Sequence, residues 1–226
     1  MNNALCHYLP TILALSASSP YWHKTDTGLA SSRVTFFEAI PTGGHPYLLN
    51  NWNEFETLVE KLIFSKSITS LKDLWWDIRP NVSFGTIEIR IADCHPTVKE
   101  IEALVAYIHS LAVFIEEEIL AGRAFSPPPE WILRENKWRA SRHGINSDLI
   151  KDFNGTSISF LETWEEIKTF LQPVSQKFHY NQYFNFLDQV AEKGPSYLRQ
   201  RKHYFDKFDT VIRHLISEGI NDQPEW

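Results

Sequence analysis

Residues 85–93 constrain the fold of this chain more than any other stretch. Three isoleucines alternate there with Glu88 and Arg90. Side chains two residues apart on a strand share a face, so the pattern predicts a strand with one apolar face and one ionic face. Residues 75–80, an aromatic and charged run, end at a proline, and residues 81–85 suit a hairpin loop. We therefore predict two neighbouring antiparallel strands.

The ionic face of this strand has two interpretations. It can be a cross-strand salt bridge on a solvated sheet face. It can also be a site for phosphate and a divalent cation, since such a site needs a guanidinium and a carboxylate together. The paired tryptophans at 75 and 76 favour the second interpretation. The alternation alone does not decide between them.

Composition narrows the class of protein. The 226 residues are 43% hydrophobic and 14% aromatic, which is typical of an ordered globular chain. With 22 Lys and Arg against 28 Asp and Glu, the net charge is −6, so we expect no broad basic surface for nucleic acid.

Features of the chain also bear on its compartment. Cys6 and Cys94 are its two cysteines, which fits a reduced cytosol better than a disulfide framework. The first 19 residues contain no Lys or Arg, and Pro10 interrupts an apolar run too short to span a bilayer. We expect a cytoplasmic protein that is neither exported nor inserted in a membrane.

Apolar spacing predicts helices over residues 4–17 and 53–63, with Pro10 in an early turn or at a kink. Residues 34–40 are β-branched and aromatic, so we predict a strand that follows Arg33. Thr97 and Glu100 form a capping-box pattern that opens a long helix. Its predicted buried face consists of Val98, Ile101, Leu104, Val105, Ile108, Leu111, Ala112 and Ile115.

The second half of the chain is predicted to be helical. After a stiff, proline-rich segment at 122–129, an amphipathic helix covers 130–144, stops at Gly144 and carries a Glu135–Arg139 ion pair. Further helices are predicted around 160–171, 178–192 and 197–216. The histidines are scattered singly and show no spacing that indicates zinc.

Several motifs together carry a family resemblance. They are Ser-Pro-Tyr-Trp at 19–22, Asp-Thr-Gly at 26–28, Ser-Ser-Arg at 31–33, Trp-Trp-Asp-Ile-Arg-Pro at 75–80, Thr-Ile-Glu-Ile-Arg-Ile-Ala-Asp at 86–93, Asn-Lys-Trp-Arg-Ala-Ser-Arg-His-Gly at 136–144 and Arg-Gln-Arg at 199–201. The chain resembles, from about Leu9 to Arg201, the bacterial carboxylate-amine ligases related to the second type of glutamate-cysteine ligase. It departs from them at His143, where the family usually has tyrosine.

The resemblance implies an α+β, glutamine-synthetase-like fold in which a partial antiparallel sheet is flanked by helices. Residues 1–226 would form a single partial catalytic domain, with its sheet-bearing part at about 1–122 and its helical part at about 127–226. Full-length relatives begin with a further part that carries a Gly-x-Glu-x-Glu strand of metal ligands, and nothing like that strand occurs here. We therefore expect exposed sheet edges, covered by a homodimer or by a separately encoded N-terminal half.

For the intact enzyme the resemblance implies ATP- and Mg²⁺-dependent ligation. The γ-carboxylate of glutamate attacks ATP to form an acyl phosphate, which the amine of cysteine or another acceptor then captures. Glu88 would be a metal ligand, Arg90 and Arg79 would act on the phosphoryl group, and Arg33 and Asp77 would bind substrate. Asn136, Arg139 and Arg142 would line or buttress the nucleotide side of the pocket.

Several alternatives stay open. Arg33 can fork onto a substrate carboxylate or pair with a nearby acid. Asp77 can orient Arg79 or bind a water on the metal, and Arg79 can hold a carboxylate or a phosphate. Residues 199–201 can bind an anion or form a basic helix surface, which is the favoured interpretation. The whole chain can also be a non-catalytic remnant or partner subunit that keeps the fold without enough metal ligands.

Overall fold

A computed structural model describes residues 1–123, 125–204 and 207–226. In this part of the chain the helices are α1 (Asn2–Cys6), α2 (Leu9–Ser16), α3 (Ser32–Glu38), α4 (Trp52–Phe64), α5 (Val98–Leu120), α6 (Glu130–His143), α7 (Phe160–Lys177), α8 (Asn181–Lys193), α9 (Ser196–Lys202) and α10 (Phe208–Asn221). The strands are β1 (Tyr21–Trp22), β2 (Thr25–Asp26), β3 (Gly43–Gly44), β4 (Trp75–Trp76), β5 (Ile78–Asn81), β6 (Thr86–Ile89), β7 (Asp148–Ile150) and β8 (Ser157–Ser159).

The described strands form four two-stranded ladders. Three are antiparallel (β1–β2, β5–β6 and β7–β8), and β3–β4 is parallel. This mixture of helices and short ladders confirms an α+β class. No ladder of the described residues has more than two strands, so the larger glutamine-synthetase-like sheet stays a prediction.

The predicted hairpin is confirmed. β5 and β6 pair antiparallel, with Ile78 opposite Ile89 and Arg79 opposite Glu88. Ile91 is buried, and Ile87 and Ile89 pack against the main core from partly buried positions. One face of the hairpin therefore closes the core and leaves the ionic residues on the other face, as the alternation predicts.

α2 lies at the centre of the main core. Every residue of α2 is buried, with Pro10 in its first turn, where a missing amide hydrogen costs no helical bond. The helix packs against α5, α6 and α8, whose apolar side chains close around it. The predicted helix over 4–17 is confirmed, although it is divided into α1 and α2. A short helix that is buried on every side is stable here because neighbouring helices cover all its faces.

The predicted strand over 34–40 is wrong, because residues 32–38 form α3. Ser19 fixes the start of this helix: its carbonyl accepts the Ser32 amide, and its hydroxyl oxygen accepts the Arg33 amide. The Thr35 hydroxyl bonds back to the Ser32 carbonyl. Tertiary contacts therefore override the β propensity of the sequence, which is weak and depends on context.

α5 begins as predicted, since the Thr97 hydroxyl accepts the Glu100 amide. Its predicted buried face is partly wrong. Leu104, Leu111 and Ile115 are buried, whereas Val98, Ile101 and Val105 are exposed. The actual inner face adds Glu100, Ala103, Ala106, Tyr107 and Ser110. Glu100 turns inward because a buried arginine neutralises it.

That arginine is Arg199, which contradicts the prediction of a basic surface at 199–201. Its side chain is 1% exposed, and it donates hydrogen bonds to Glu218 at 2.5 Å and to Glu100 at 2.8 Å. The predicted single helix over 197–216 is also wrong, since α9 ends at Lys202 and α10 begins at Phe208; residues 205 and 206 lie outside the described part.

Helices from both sides of the proline-rich segment share the main core, which contains residues of α1, α2, α5, α6, α7 and α8. The division into a sheet-bearing and a helical part stays a prediction. α6 ends at Gly144, and the Glu135–Arg139 ion pair forms at 2.9 Å, both as predicted. Among the residues described, none of the helices combines the length and apolar character needed to cross a membrane.

Candidate active site

The backbone of residues 75–77 connects the elements of the site. β4 pairs with the two glycines of β3, and the Asp77 amide donates to the Gly44 carbonyl at 2.8 Å. The Asp77 carbonyl then accepts the amides of Arg90 at 2.7 Å and Ile91 at 3.1 Å. The residues after β6 are thereby tied to the end of β4, which brings the two halves of the central motif together.

Glu88 lies between two arginines on the ionic face of the hairpin. Its carboxylate accepts Nε of Arg79 at 3.1 Å on one oxygen and Nη1 of Arg90 at 2.6 Å on the other. Partial burial raises the pKa of Glu88, but the bonds from Arg90 and Arg79 outweigh this effect and lower it. Glu88 is therefore a carboxylate at neutral pH, held in place by both guanidinium groups.

The two arginines differ in how many donors remain free. Arg79 also donates Nη1 to the carbonyls of Leu71 at 2.7 Å and Leu74 at 2.6 Å, so it anchors the turn before β4. Among the described residues, the Arg90 guanidinium has Glu88 as its one hydrogen-bond acceptor. It lies 5.3 Å from the centre of the Trp75 ring, a cation–π distance. Arg90 thus keeps donors for a ligand.

Arg33 and Arg90 line a small cleft together. Arg33 donates Nη2 to the Arg90 carbonyl at 2.7 Å and Nη1 to the Ile91 carbonyl at 3.1 Å. It also lies 3.5 Å from Asp93 and above the Phe37 ring. The cleft between Arg33, Phe37, Trp75 and Arg90 measures about 10 Å³. Arg33 therefore supports the site wall, and this small cleft holds no whole substrate in the described conformation.

Asp93 gathers two of the sequence motifs. It is buried, and it accepts the Ser18 amide at 2.9 Å, the Ser19 hydroxyl at 2.8 Å and the Ser31 hydroxyl at 3.1 Å. The Ser-Pro motif, the Ser-Ser-Arg motif and the end of the central strand therefore meet at one carboxylate. This convergence fixes α3, and hence Arg33, against the hairpin.

Lys137 is a site residue that was not predicted from the sequence, and it pairs with a residue that was. Lys137 is 3% exposed, and its ammonium lies 2.5 Å from Asp77 and also bonds Glu38. Burial raises the pKa of Asp77, an effect that the Lys137 charge opposes. Asp77 pairs with Lys137 and not with Arg79, so it does not orient Arg79 here; its predicted role at a metal-bound water stays a prediction. A signal was available: Lys137 falls on the inner face of α6, four residues after Leu133 and three before Ala140.

The three residues predicted for the nucleotide side do not meet at one point. Asn136 is buried and makes two bonds to the Ile150 backbone, at 2.7 and 2.9 Å. Arg139 donates to the Asp148 carbonyl at 3.0 Å and to the Ser157 hydroxyl at 3.1 Å. Both therefore hold the β7–β8 hairpin, whereas Arg142 lies elsewhere.

Arg142 holds the loop that contains the Asp-Thr-Gly motif. Its guanidinium donates to the Gly28 carbonyl. Arg201 supports the same loop through a bidentate pair with Asp26, at 2.7 and 2.8 Å. The hydrogen bonds from Arg201 and Gly28 lower the pKa of Asp26 against the opposing effect of burial. The Asp-Thr-Gly motif at 26–28, the motif at 136–144 and the Arg-Gln-Arg motif at 199–201 therefore meet at this loop.

The hydrogen bonds to Glu88 leave its carboxylate able to act as one ligand of a magnesium ion. Each carboxylate oxygen accepts one arginine, which leaves lone pairs for a hard cation. Among the residues described, the group of three side chains that could hold a metal ion is His203, His214 and Glu225, and it does not include Glu88. A complete magnesium site at Glu88 therefore requires further oxygen ligands.

The fold and this site define an α+β protein whose central hairpin holds Glu88 between Arg79 and Arg90. Comparison with known families gives the particular assignment. The model of glutamate-cysteine ligase family 2 (GCS2) matches residues 1–221, and the chain belongs to this family. The family resemblance predicted from the motifs is confirmed.

Several curated relatives carry the same family name. A protein of Bdellovibrio bacteriovorus, "Putative glutamate--cysteine ligase 2", is 44% identical over 216 residues, which cover 96% of this chain and 57% of the relative. One of Thermobifida fusca with the same name is 40% identical over 199 residues, covering 88% of this chain and 50% of the relative. The chain thus spans about half the length of the curated relatives it matches.

Proposed function

We propose that this chain is a catalytic portion of an ATP-dependent carboxylate-amine ligase. The reaction would join the γ-carboxylate of glutamate to the amine of cysteine or another acceptor through an acyl phosphate. Membership in the glutamate-cysteine ligase family 2 supports this assignment, as do the names of the relatives. A complete glutamine-synthetase-like sheet would then form with a homodimer partner or with a separately encoded N-terminal half.

The observation that carries the proposal is that Arg90 keeps guanidinium N–H donors without an acceptor among the described residues. The guanidinium groups of Arg79 and Arg33 donate hydrogen bonds to backbone carbonyls. In the described part of the chain, the Arg90 guanidinium donates only to Glu88. Glu88 and the Trp75 ring hold the Arg90 guanidinium in place without covering all its donors. A positioned guanidinium of this kind stabilises charge that develops on phosphoryl oxygens, at no cost of reorientation during the reaction.

The other site residues would act through position. Glu88 would provide one ligand to Mg²⁺, which when bound supplies neutralisation of the phosphate charge. Arg33 would present the wall against which the substrate carboxylate binds. Asn136 and Arg139 would buttress the nucleotide side through the β7–β8 hairpin, and Arg142 would do so through the loop at Gly28.

The proposal is tested by calorimetric titration with ATP and Mg²⁺ and by release of ADP with glutamate and cysteine. Both are measured on this chain alone and together with a family polypeptide that carries the Gly-x-Glu-x-Glu strand. We expect nucleotide binding and ADP release in at least the combined sample. If neither sample binds nucleotide or releases ADP, the ligase proposal is overturned and the non-catalytic remnant stands.

Two substitutions test the roles of individual residues. In the active sample, Glu88→Gln should abolish ADP release, and Arg90→Gln should lower kcat by about 10²–10³-fold, the usual cost of one transition-state donor. Circular dichroism spectra should stay unchanged. Glu118→Gln is the matched control, since Glu118, in the last turn of α5, pairs with the exposed Arg123 just after this helix. Turnover retained in Glu88→Gln would refute the metal role.

A further inference from the structure

A hollow of about 180 Å³ lies between α3 and α6, next to the small cleft of Arg90. Val34 belongs to the walls of both cavities. Lys137 lines the hollow and pairs with Asp77, which lines the cleft. The cleft measures only about 10 Å³, so most of any substrate that reaches Arg90 must lie outside it. The hollow is the neighbouring space in which the rest of such a molecule fits.

Two charged residues of the hollow keep polar atoms without hydrogen bonds. Oε1 of Glu38 accepts from Lys137, but Oε2 accepts no donor among the described residues. Arg134 donates Nε to Glu130 at 2.8 Å, and within the same part of the chain its two Nη groups donate no hydrogen bond. Nη1 of Arg134 lies 4.0 Å from Oε2 of Glu38, which is beyond hydrogen-bond range. A free acceptor and a free donor of opposite charge therefore lie side by side.

This pair of charges selects the class of ligand. Glu38 repels a simple anion, and Arg134 repels a simple cation. A zwitterion satisfies both residues, because its ammonium donates to Oε2 of Glu38 while its carboxylate accepts from the Nη groups of Arg134. The ammonium and carboxylate of an α-amino acid share one carbon, which suits partners only 4.0 Å apart. Trp138, which is about half exposed, adds an indole wall that attracts an ammonium group.

We propose that Glu38 and Arg134 bind the α-ammonium and the α-carboxylate of glutamate. The inference rests on the proposed function for the identity of this amino acid. Glutamate suits the hollow because its α-groups take no part in the reaction and its γ-carboxyl carbon lies three bonds from the α-carbon. The α-amine of the acceptor, in contrast, must itself reach the acyl phosphate.

With its α-groups in the hollow, glutamate extends its γ-carboxylate past Val34 toward Arg90. Groups of a substrate that do not react supply binding energy that positions the group that does. Lys137 is then a positioning residue, because it holds Glu38 on one side and Asp77 on the other. The buried ion pairs of Lys137 thereby connect the hollow with the cleft.

The first test measures binding to this chain alone, labelled with ¹⁵N-tryptophan. The indole N–H signal of Trp138, assigned from its loss in Trp138→Phe, is followed during titration with L-glutamate, with glutarate, which lacks the α-ammonium, and with 4-aminobutyrate, which lacks the α-carboxylate. L-Glutamate should shift this signal. Each analogue should bind at least about 10-fold more weakly, since it loses a hydrogen bond between charged groups.

Arg134→Met should weaken L-glutamate binding by about the same 10-fold factor. Arg134 is about half exposed, so the variant should fold. Arg123→Met is the matched control, because Arg123 is also exposed and pairs with Glu118 at the end of α5, outside the hollow. This control should bind L-glutamate as the unmodified chain does.

The second test uses the sample that releases ADP. Arg134→Met should raise the KM for glutamate by about 10-fold and leave the KM values for cysteine and ATP unchanged. The inference is overturned if L-glutamate does not shift the Trp138 signal, if either analogue binds as tightly as L-glutamate, or if only the KM for cysteine rises. Absence of ADP release from every sample would refute the proposed function, whereas the titration of this chain would still decide whether the hollow binds an α-amino acid.

Discussion

Replacing Arg199 with methionine should destabilise the protein more than any surface substitution. Arg199 is 1% exposed and lies between Glu100 and Glu218, which are 1% and 0% exposed. It also donates to the Gly194 carbonyl at 3.0 Å. Methionine fills much of the same volume but removes the positive charge. Two buried carboxylates would then face each other without the cation that neutralises them.

The expected loss follows from the cost of an uncompensated buried charge. Removing one partner of a buried ion pair typically costs about 3–5 kcal/mol. In a protein of this size each kcal/mol lowers Tm by about 2–4 °C, so we expect a decrease of about 6–20 °C. The triple variant Glu100→Leu, Arg199→Met, Glu218→Leu should recover most of this loss, because well-packed apolar residues replace a buried charge cluster at little cost.

Thermal and guanidinium unfolding, followed by circular dichroism, measure the effect. Arg201→Met is the matched control on the same helix, two residues away. Arg201 pairs with the partly exposed Asp26, and such pairs contribute about 0–1 kcal/mol. A loss for Arg199→Met no larger than that of Arg201→Met would refute the argument that the buried cluster depends on this charge.

The pH dependence gives an independent check. Burial raises the pKa of Glu100, but contacts with His95 and Arg199 outweigh this effect. They lower the pKa from an ordinary 4.5 to about 2. A carboxyl with a lower pKa in the folded state binds fewer protons there than when unfolded. Its contribution to stability is therefore complete above about pH 4.5 and is lost as pH falls toward 2. The difference between the native chain and Arg199→Met should shrink across this window.

Two further predictions concern a glycine and the cysteines. Gly28 has φ +74°, and an added Cβ would collide with the Arg142 guanidinium, so Gly28→Ala should cost about 1–2 kcal/mol in backbone strain plus the displaced Arg142 bond. Gly155→Ala, with φ +81° and open space around the Cβ, should cost the backbone strain alone, and equal losses of stability in guanidinium unfolding would contradict the Arg142 contact. Burial raises the pKa of the Cys6 thiol to about 12, whereas Cys94 is exposed. A disulfide reagent at pH 8 should therefore react with Cys94 alone in the native chain and with both thiols in guanidinium. Two reactive thiols in the native chain would contradict the burial of Cys6.

The features of the fold that could be predicted from the sequence depend on local chemistry. The alternation of residues 86–91 predicts the hairpin because strand periodicity is a property of neighbouring residues. Thr97 predicts the start of α5 and Gly144 the end of α6, because each acts on backbone groups a few positions away. The motifs also identify the family, since their order and spacing are read directly from the chain.

The candidate site could be predicted only in part from the sequence. The strand alternation brings Glu88 and Arg90 together, and the hairpin brings Arg79 to them. Lys137 comes from a helix about fifty residues further along, and its pairing with Asp77 depends on how α6 packs beside β4. The sequence predicts which residues carry charge, and it does not predict which of these charges share a cavity.

Contacts between residues far apart in sequence decided the conformation of α3 and the buried face of α5. α3 is a helix because Ser19 and Asp93 hold its first turn, although its residues favour a strand. α5 turns Glu100 inward because Arg199 is there to neutralise it. The sequence by itself determined the local elements and the family of this protein, because caps, turns and periodicity act within a few residues. The tertiary structure alone decided which faces are buried and which charges meet, because burial is set by contacts between distant segments.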